Sequence, residues 1–505
     1  MLEALLQGLL AVLQVKAFSF MLLGILVGFW VGLLPGLGGA TTLALMLPFI
    51  YNMQPVEAFA FLLGMHSVVA TTGDITSVLF GVPGEATTAA IILDGYSMTK
   101  KGQAGRALGA ALTSSLIGAL IGAAALALAV PIVRPLVLTF GSPELFMLAV
   151  VGLAFIASLS AQGVRGMVRG FIAGGTGLYL AMVGQDPQAG VARFTFDTLY
   201  LAQGIDLVPV LVGLFAIPEI IELVVRGSSI AGTTKPGRIE GALEGVKDVF
   251  RNGWLTIRCS LIGTFVGIMP GMGGAVAQWM AYGHATQSAR TPEEREGFGN
   301  GDVRGVLGPG AACNSKEGGA LIPTIAFGVP GSTSMAILLG GFFLLGLVPG
   351  PEMLTTHLSV TFSMVWTIVL ANVITVALCF LLLNRLARLT TLPGHLLIPV
   401  ILVLVFIGSY TTNSSYADLV VTLISGAVGY LMVRAGYPRA PLVLGLVLGK
   451  IAENYLWIST AAYGAKWLLF PTVLILIAIT VGTVAYPTIK ERLGKAKYER
   501  PEDAM

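Results

Sequence analysis

Twice in this sequence a Pro-Gly-x-Gly-Gly break falls inside an apolar stretch. Gly32-Leu-Leu-Pro-Gly-Leu-Gly-Gly-Ala40 returns as Gly267-Ile-Met-Pro-Gly-Met-Gly-Gly-Ala275, with six of nine positions identical. Proline removes a backbone donor and glycine opens turn conformations, so neither stretch continues as one unbroken helix. The chain has 505 residues, of which 55% are hydrophobic and only 11% charged, whereas a soluble domain carries about 25% charged residues. Its solvent is lipid. Lipid satisfies no backbone N–H, so a broken helix at membrane depth has to line protein or a wet cavity.

Several function classes drop out at once. Lys and Arg exceed Asp and Glu by 29 − 26 = 3, which gives no basic face for nucleic acid. Cys259, Cys313 and Cys379 lie far apart and read as packing residues, with neither a disulfide frame nor a CxxC metal knuckle. The 65 glycines have no collagen-like triplet period and instead suit close helix packing and irregular backbone in a membrane. There is no G-x-x-x-x-G-K-[ST], so the chain is not itself an ATPase. Neither H-E-x-x-H nor G-x-S-x-G occurs, and His66, His284, His357 and His395 are isolated. A membrane-embedded enzyme therefore has little support, and no metal or organic cofactor is expected.

A helix needs about 20 apolar residues to cross the hydrocarbon core. Arg106 and Arg134 enclose 27 uncharged residues, Glu144 and Arg165 enclose 20, Glu352 and Arg385 enclose 32, Arg388 and Asp418 enclose 29, and Lys466 and Lys490 enclose 23. Shorter runs at 170–185 and 419–433 span if flanking arginines snorkel. The length rule gives roughly ten to twelve crossings. Residues 2–14 place Leu2, Leu5, Leu6, Leu9 and Leu13 on one face, which suits either an interfacial helix or the first turns of a long crossing. Glu3 at the start and the lack of a small-residue cleavage site argue against a cleavable signal. The basic segment 490–505 is expected to be a cytoplasmic tail.

The first break pair repeats at an offset of 235 residues. Phe80-Gly-Val-Pro-Gly84 returns identically as Phe327-Gly-Val-Pro-Gly331 at 247, and Phe155-Ile156 returns as Phe406-Ile407 at 251. Tyr179 and Pro187 match Tyr430 and Pro438 at that last offset. Ordered anchors of this kind mark a duplicated unit. The basic connections fall at non-equivalent places in the two copies, at Lys100 to Arg106 and Arg165 to Arg169 in one, and Arg385 to Arg388 and Arg434 to Arg439 in the other. If basic loops face the cytoplasm, the halves are inverted, although Arg134 and Arg193 fall on the wrong side. The expected fold is an all-α polytopic membrane protein of two inverted repeats with broken or re-entrant helices. The boundaries expected are a first repeat over 1–225, a cytoplasmic connector over 226–258, a second repeat over 259–464 and an extra C-terminal crossing over 465–489. The mixed charges of 290–304 leave their membrane side open.

Matched interrupted segments in two inverted halves point to a transporter's substrate site. The first pair offers Gly36, Gly38, Gly39, Ala40 and Thr41 against Gly271, Gly273, Gly274 and Ala275. Each leads into a half-helix whose free N–H groups and positive end suit an anion. The plainer reading is that these glycines only permit tight helix crossings. The second pair supplies Gly84 with Thr87, and Gly331 with Ser332 and Thr333, whose hydroxyls can serve a carboxylate or a cation. Serine and threonine also bond back to their own helix, which is the competing reading. Ionisable groups inside membrane segments are costly and therefore functional candidates: Asp74, Glu85, Asp94, Glu219, Lys316, Glu317 and Glu453. Asp74, Glu85 and Glu317 are the candidates for a coupling ion. Lys316 attracts an anion or neutralises Glu317, and the Asn314 amide is placed to orient a carboxylate.

The motifs around these residues resemble the large membrane subunit of the tripartite tricarboxylate transporters. The likeness rests on residues 32–40, on Pro83-Gly84-Glu85 with Leu93-Asp94-Gly95-Tyr96 and Gly105-Arg106, and on Gly318-Gly319-Ala320-Leu321-Ile322-Pro323-Thr324 running into Phe327-Gly328-Val329-Pro330-Gly331-Ser332. The resemblance implies a multi-pass permease of the bacterial inner membrane that moves an organic carboxylate. It also implies a small four-helix membrane subunit and a periplasmic solute-binding protein as partners, and coupling to Na+ or H+. Many relatives carry Pro-Glu-Ala-Ala-Asn-Asn where this chain reads Pro309-Gly-Ala-Ala-Cys-Asn-Ser-Lys-Glu317. A monocarboxylate, a dicarboxylate or an aromatic acid is therefore expected as readily as citrate.

Overall fold

The computed structural model describes residues 1–33, 38–159, 163–186, 188–226, 239–270, 272–389 and 397–498. Helices dominate; among the described residues the strands are Gly184–Gln185 and Ala192–Arg193, paired as one short antiparallel ribbon. Among the described residues six helices are long and apolar enough to cross a membrane: Val15–Gly32, Pro55–Phe80, Ala104–Val137, Leu358–Leu383, Tyr416–Ala435 and Arg439–Tyr463. Seven shorter apolar helices accompany them. The fold is an all-α polytopic membrane protein.

The same series of helices runs twice. Val15–Gly32, Gly39–Met46, Pro55–Phe80, Ala104–Val137, Ser142–Leu159, Gly163–Ala181 and Leu207–Arg226 are followed in the same order by Gly253–Ile268, Gly273–Gln287, Arg304–Phe327, Leu358–Leu389, Leu397–Asn413, Tyr416–Ala435 and Arg439–Tyr463. Close approaches recur with the helices. A Cβ on Gly28 would lie 2.3 Å from Met65 O and one on Gly32 2.6 Å from Val69 O; on Gly263 and Gly267 it would lie 2.6 Å from Ala312 O and 2.3 Å from Lys316 O. The partners are offset by 247 and the glycines by 235, the spacings of the two sequence anchors. Glycine at these points lets two helix backbones touch, the packing open to small residues in lipid.

The helices exchange partners between the halves. Ala104–Val137 lies along Arg304–Phe327, and Leu358–Leu389 along Pro55–Phe80; Gly163–Ala181 pairs with Arg439–Tyr463, and Leu207–Arg226 with Tyr416–Ala435. Pro55–Phe80 and Arg304–Phe327 are consequently enclosed, and residues 57–79 and 305–326 are all buried. A helix enclosed on every side needs no polar face. Between them they carry Asp74, Lys316 and Glu317, three of the seven candidate ionisable residues.

Side-chain contacts order the connections. Arg169, near the start of Gly163–Ala181, donates to Gly436 O at the end of Tyr416–Ala435, while Arg439 reaches Glu219. At the other end, Asn413 donates to Asp206 and the Tyr200 hydroxyl to Asp418. The basic connections at 165–169 and 434–439 therefore meet one another. Arg193, which breaks the sequence charge rule, makes two hydrogen bonds with Glu453, at 2.7 and 3.0 Å, and lies 3.3 Å from Asp186. Its charge is compensated locally and gives no orientation signal.

Residues 287–305, unplaced by charge, pack against the basic 92–101 segment: Lys101 Nζ donates to Asn300 O at 2.5 Å, and Ser97 to Gly299 O. Asp94 is buried there and accepts from Gly301 N at 2.7 Å, Asp302 N at 2.9 Å and the Tyr282 hydroxyl at 3.0 Å. This carboxylate ties the first half to the second on the face that also holds Arg106 and Asp248, 2.5 Å apart. Of the connector, residues 227–238 lie outside the described residues; Ala242–Arg251 is a helix with Leu243 and Phe250 exposed. Gly253–Ile268 starts before residue 259, with Arg258 over the Trp254 ring, so the basic residue rides on the first turns of the crossing. Residues 2–13 form a separate helix that ends at Gln14, and Trp366 Nε1 donates to Leu5 O, docking it on Leu358–Leu389. Helix Pro471–Tyr498 follows the second series and packs on Ser142–Leu159.

Candidate functional site

Gly39–Met46 begins at Gly38, whose extended backbone ends the break; Pro35 and Gly36 lie outside the described residues, as does Gly271 in the second copy. Gly39 N donates to Glu85 Oε2 at 3.0 Å, and the Thr87 hydroxyl donates to Glu85 Oε1. The carboxylate comes from the second break of the same half, so both breaks of the first repeat meet at one point. Thr42 hydroxyl bonds back to Gly38 O at 3.0 Å, holding the first turn of the half-helix. Ala40 is partly exposed and Thr41 buried on that turn.

The second half arrives at the same place. Gly273 has a left-handed φ of 69°, which starts Gly273–Gln287. A Cβ on Gly274 would lie 2.6 Å from both Lys316 Cε and Thr87 Cγ2, and 2.9 Å from Lys316 Nζ. A Cβ on Gly39 would lie 2.6 Å from His66 Nδ1. His66 Nε2 stands 3.1 Å from Glu317 Oε1, and Lys316 Nζ 2.6 Å from that same oxygen. His66, Lys316 and Glu317 are each at most 4% exposed. A buried carboxylate is tolerable when paired in this way. His66, Glu85 and Thr87 from the first half thus join Gly274, Lys316 and Glu317 from the second.

Other candidates take different places. Gly84 and Gly331 hold equivalent crossings: a Cβ would meet Gly73 Cα at 2.5 Å and Gly32 O at 3.2 Å in one, and Gly267 O at 2.4 Å and Ala320 Cα at 2.9 Å in the other. Ser332 caps Thr333–Leu344 by accepting from Met335 N. Ala275 is partly exposed one residue beyond Gly274. Asn314 meets hydroxyls and an amide rather than a carboxylate, with Nδ2 2.7 Å from Thr71 Oγ1, 2.8 Å from Ser115 Oγ and 2.7 Å from Asn372 Oδ1. Asp74 is fully buried, and neither carboxylate oxygen has a hydrogen-bond partner among the described residues. Among those residues no group of three or more His, Cys, Asp and Glu could hold a metal ion.

Sequence reasoning leaves His66 isolated, and the structure makes it one of the contacts between the halves. The offset of 247 that relates Met65 to Ala312 also relates His66 to Cys313. That relation sets His66 at the repeat equivalent of a position three residues before Lys316, which is the signal the sequence holds.

Two kinked helical halves converge on a buried cluster of ionised and hydroxyl side chains, which defines a multi-pass membrane protein with a polar centre. A family model described as the tripartite tricarboxylate transporter TctA family matches residues 18–444. The chain belongs to that family. It is 33% identical over 433 residues to an uncharacterized 52.8 kDa protein of the TAR-I ttuC' 3' region of Agrobacterium vitis, covering 86% of this chain and 85% of the relative. A second uncharacterized protein of that organism, from the TAR-II ttuC' 3' region, is 32% identical over 194 residues, covering 38% of this chain and 79% of the relative. No solved structure matches.

Proposed function

We propose that this chain is the large permease subunit of a binding-protein-dependent secondary transporter that imports an organic carboxylate across the bacterial inner membrane. The acid binds between the half-helix tips at Gly38 to Thr41 and Gly273 to Ala275, and the two halves expose it alternately to each side. The observation that carries this reading is the convergence of Gly39, through Glu85 and His66, and Gly274, through Lys316, on one buried cluster. The repeated helix series supports an inverted pair of repeats, as do the contacts joining the start of Gly163–Ala181 to the end of its counterpart Tyr416–Ala435. Asp74, an unpartnered carboxylate within an enclosed helix, supports coupling to Na+ or H+.

Family membership supports the partners, a small four-helix membrane subunit and a periplasmic solute-binding protein that delivers the acid. The test is uptake of a panel of radiolabelled mono-, di- and tricarboxylates into proteoliposomes holding both membrane subunits, with and without the binding protein. Accumulation that needs the binding protein and a cation gradient is expected. Equal accumulation by the large subunit alone would assign a self-sufficient carrier, and conversion of the acid without movement would assign an enzyme.

A further inference from the structure

Glu85 holds the position in which a carboxylate ligand would be bound. One of its oxygens accepts from Gly39 N at 3.0 Å and the other from the Thr87 hydroxyl. A main-chain N–H opening an eight-residue half-helix, with a hydroxyl opposite, is the donor set expected for a free carboxylate. Two further groups are aimed at the spot. His66 Nδ1, on a side chain 4% exposed, has no hydrogen-bond partner among the described residues and faces Gly39. Lys316 Nζ borders Gly274 and, through it, Thr87. Glu85 and Thr87 are themselves only half-buried, so the position is approachable from water.

We propose that Glu85 is a tethered internal carboxylate that occupies the substrate-carboxylate subsite, and that the substrate's own carboxylate displaces it onto Gly39 N–H and the Thr87 hydroxyl. The inference rests on the transport reading and refines it. In the empty site the tethered group keeps the half-helix N–H satisfied, where a bare buried donor would cost free energy. The exchange conserves those hydrogen bonds but adds one negative charge, since Glu85 stays nearby while the substrate enters. A buried charge has to be paired, so the released Glu85 becomes a seat for an accompanying cation. Anion entry and cation entry are thereby linked at one residue. The donor pair of Gly39 N–H and the Thr87 hydroxyl takes one carboxylate group.

The direct test uses acetate, which reproduces the displaced group. The purified subunit in detergent is heated in potassium acetate or in potassium chloride at equal ionic strength. Glu85→Ala, which empties the subsite, is expected to gain a saturable, acetate-specific rise in Tm, and Glu85→Ala with Thr87→Val to lose it. Absence of that acetate effect in a folded Glu85→Ala subunit would overturn the proposal. Should Glu85→Ala not fold, Glu85→Gln keeps a neutral acceptor for Gly39 N–H. A neutral hydrogen bond is weaker than a charge-assisted one by about 1 kcal/mol, so every acid carried by the wild-type complex is expected to half-saturate uptake at about fivefold lower concentration. A half-saturating concentration equal to or above the wild-type value would mark Glu85 as a fixed structural cap and overturn the proposal. Failure of the transport reading is separable: the wild-type complex would then take up no acid, and the acetate arm would still judge the subsite.

Discussion

His66 Nε2 and Glu317 Oε1 approach to 3.1 Å across the boundary between the two helix series, and Lys316 Nζ holds the same oxygen at 2.6 Å. One carboxylate oxygen therefore joins the halves, with the side chains of His66, Lys316 and Glu317 all out of water.

Breaking this group on one side strands a buried charge. Lys316→Met is expected to destabilise the subunit by about 3–5 kcal/mol, the usual cost of leaving one partner of a buried pair unpaired. Lys316→Met combined with Glu317→Gln should lose less than the sum of the single changes. Thermal unfolding of the four species in detergent checks it; simple additivity would mean that the pair carries no coupling.

Filling either half-helix tip should stop transport without preventing insertion. Gly39→Val pushes a side chain toward His66 Nδ1, and Gly274→Val pushes one toward Lys316 and Thr87, each from a Cβ position already at 2.6 Å. Uptake is expected to vanish in both variants while membrane yield stays near the wild-type level. Normal uptake by both would remove the tips from the site.

Asp74→Asn removes an unpartnered buried carboxylate, so stability should hold or rise, by up to about 1–3 kcal/mol. Loss of the coupling charge should abolish gradient-driven accumulation while leaving exchange of labelled for unlabelled acid. Retained accumulation would take Asp74 out of coupling.

Topology is open to a labelling test because Cys259, Cys313 and Cys379 are all buried. Val191→Cys, in the connection paired with Glu453 by way of Arg193, should react in intact cells with an impermeant thiol reagent. Leu243→Cys, beside the Arg106 and Asp248 pair, should react only after the membrane is opened. Both residues are well exposed, at 61% and 75%. The reverse pattern would turn the subunit over.

The fold is legible in the sequence where the signal is local or repeated. Apolar runs such as 107–133 become helices because only a helix satisfies the backbone of a lone segment in lipid from within, and Ala104–Val137 contains that run. The helix series follows the anchors at Gly32 and Gly267 and at Gly84 and Gly331, because close crossings need glycine at equivalent places in both copies. The pairing of Lys316 with Glu317 is legible because the two are adjacent. His66 is not, since its partner lies 317 − 66 = 251 residues away and only the exchange of helices between halves brings them together. Arg193 misleads the charge rule for a related reason: Glu453, which compensates it, is distant in sequence. Asn314 reads as a carboxylate-orienting amide, yet four helices meet around it with Thr71, Ser115 and Asn372, a polar junction that no spacing announces.

The central claim is that the two half-helix tips share one aqueous pocket that holds the transported anion. Ala40→Cys and Ala275→Cys place a thiol on each tip, at positions partly exposed in the structure. The measurement is their rate of reaction with a small hydrophilic thiol reagent in the assembled transporter, with and without the acid that it carries. Both thiols should react, and the same acid should slow both over the same concentration range; two unreactive thiols, or protection of one tip alone, would contradict the account.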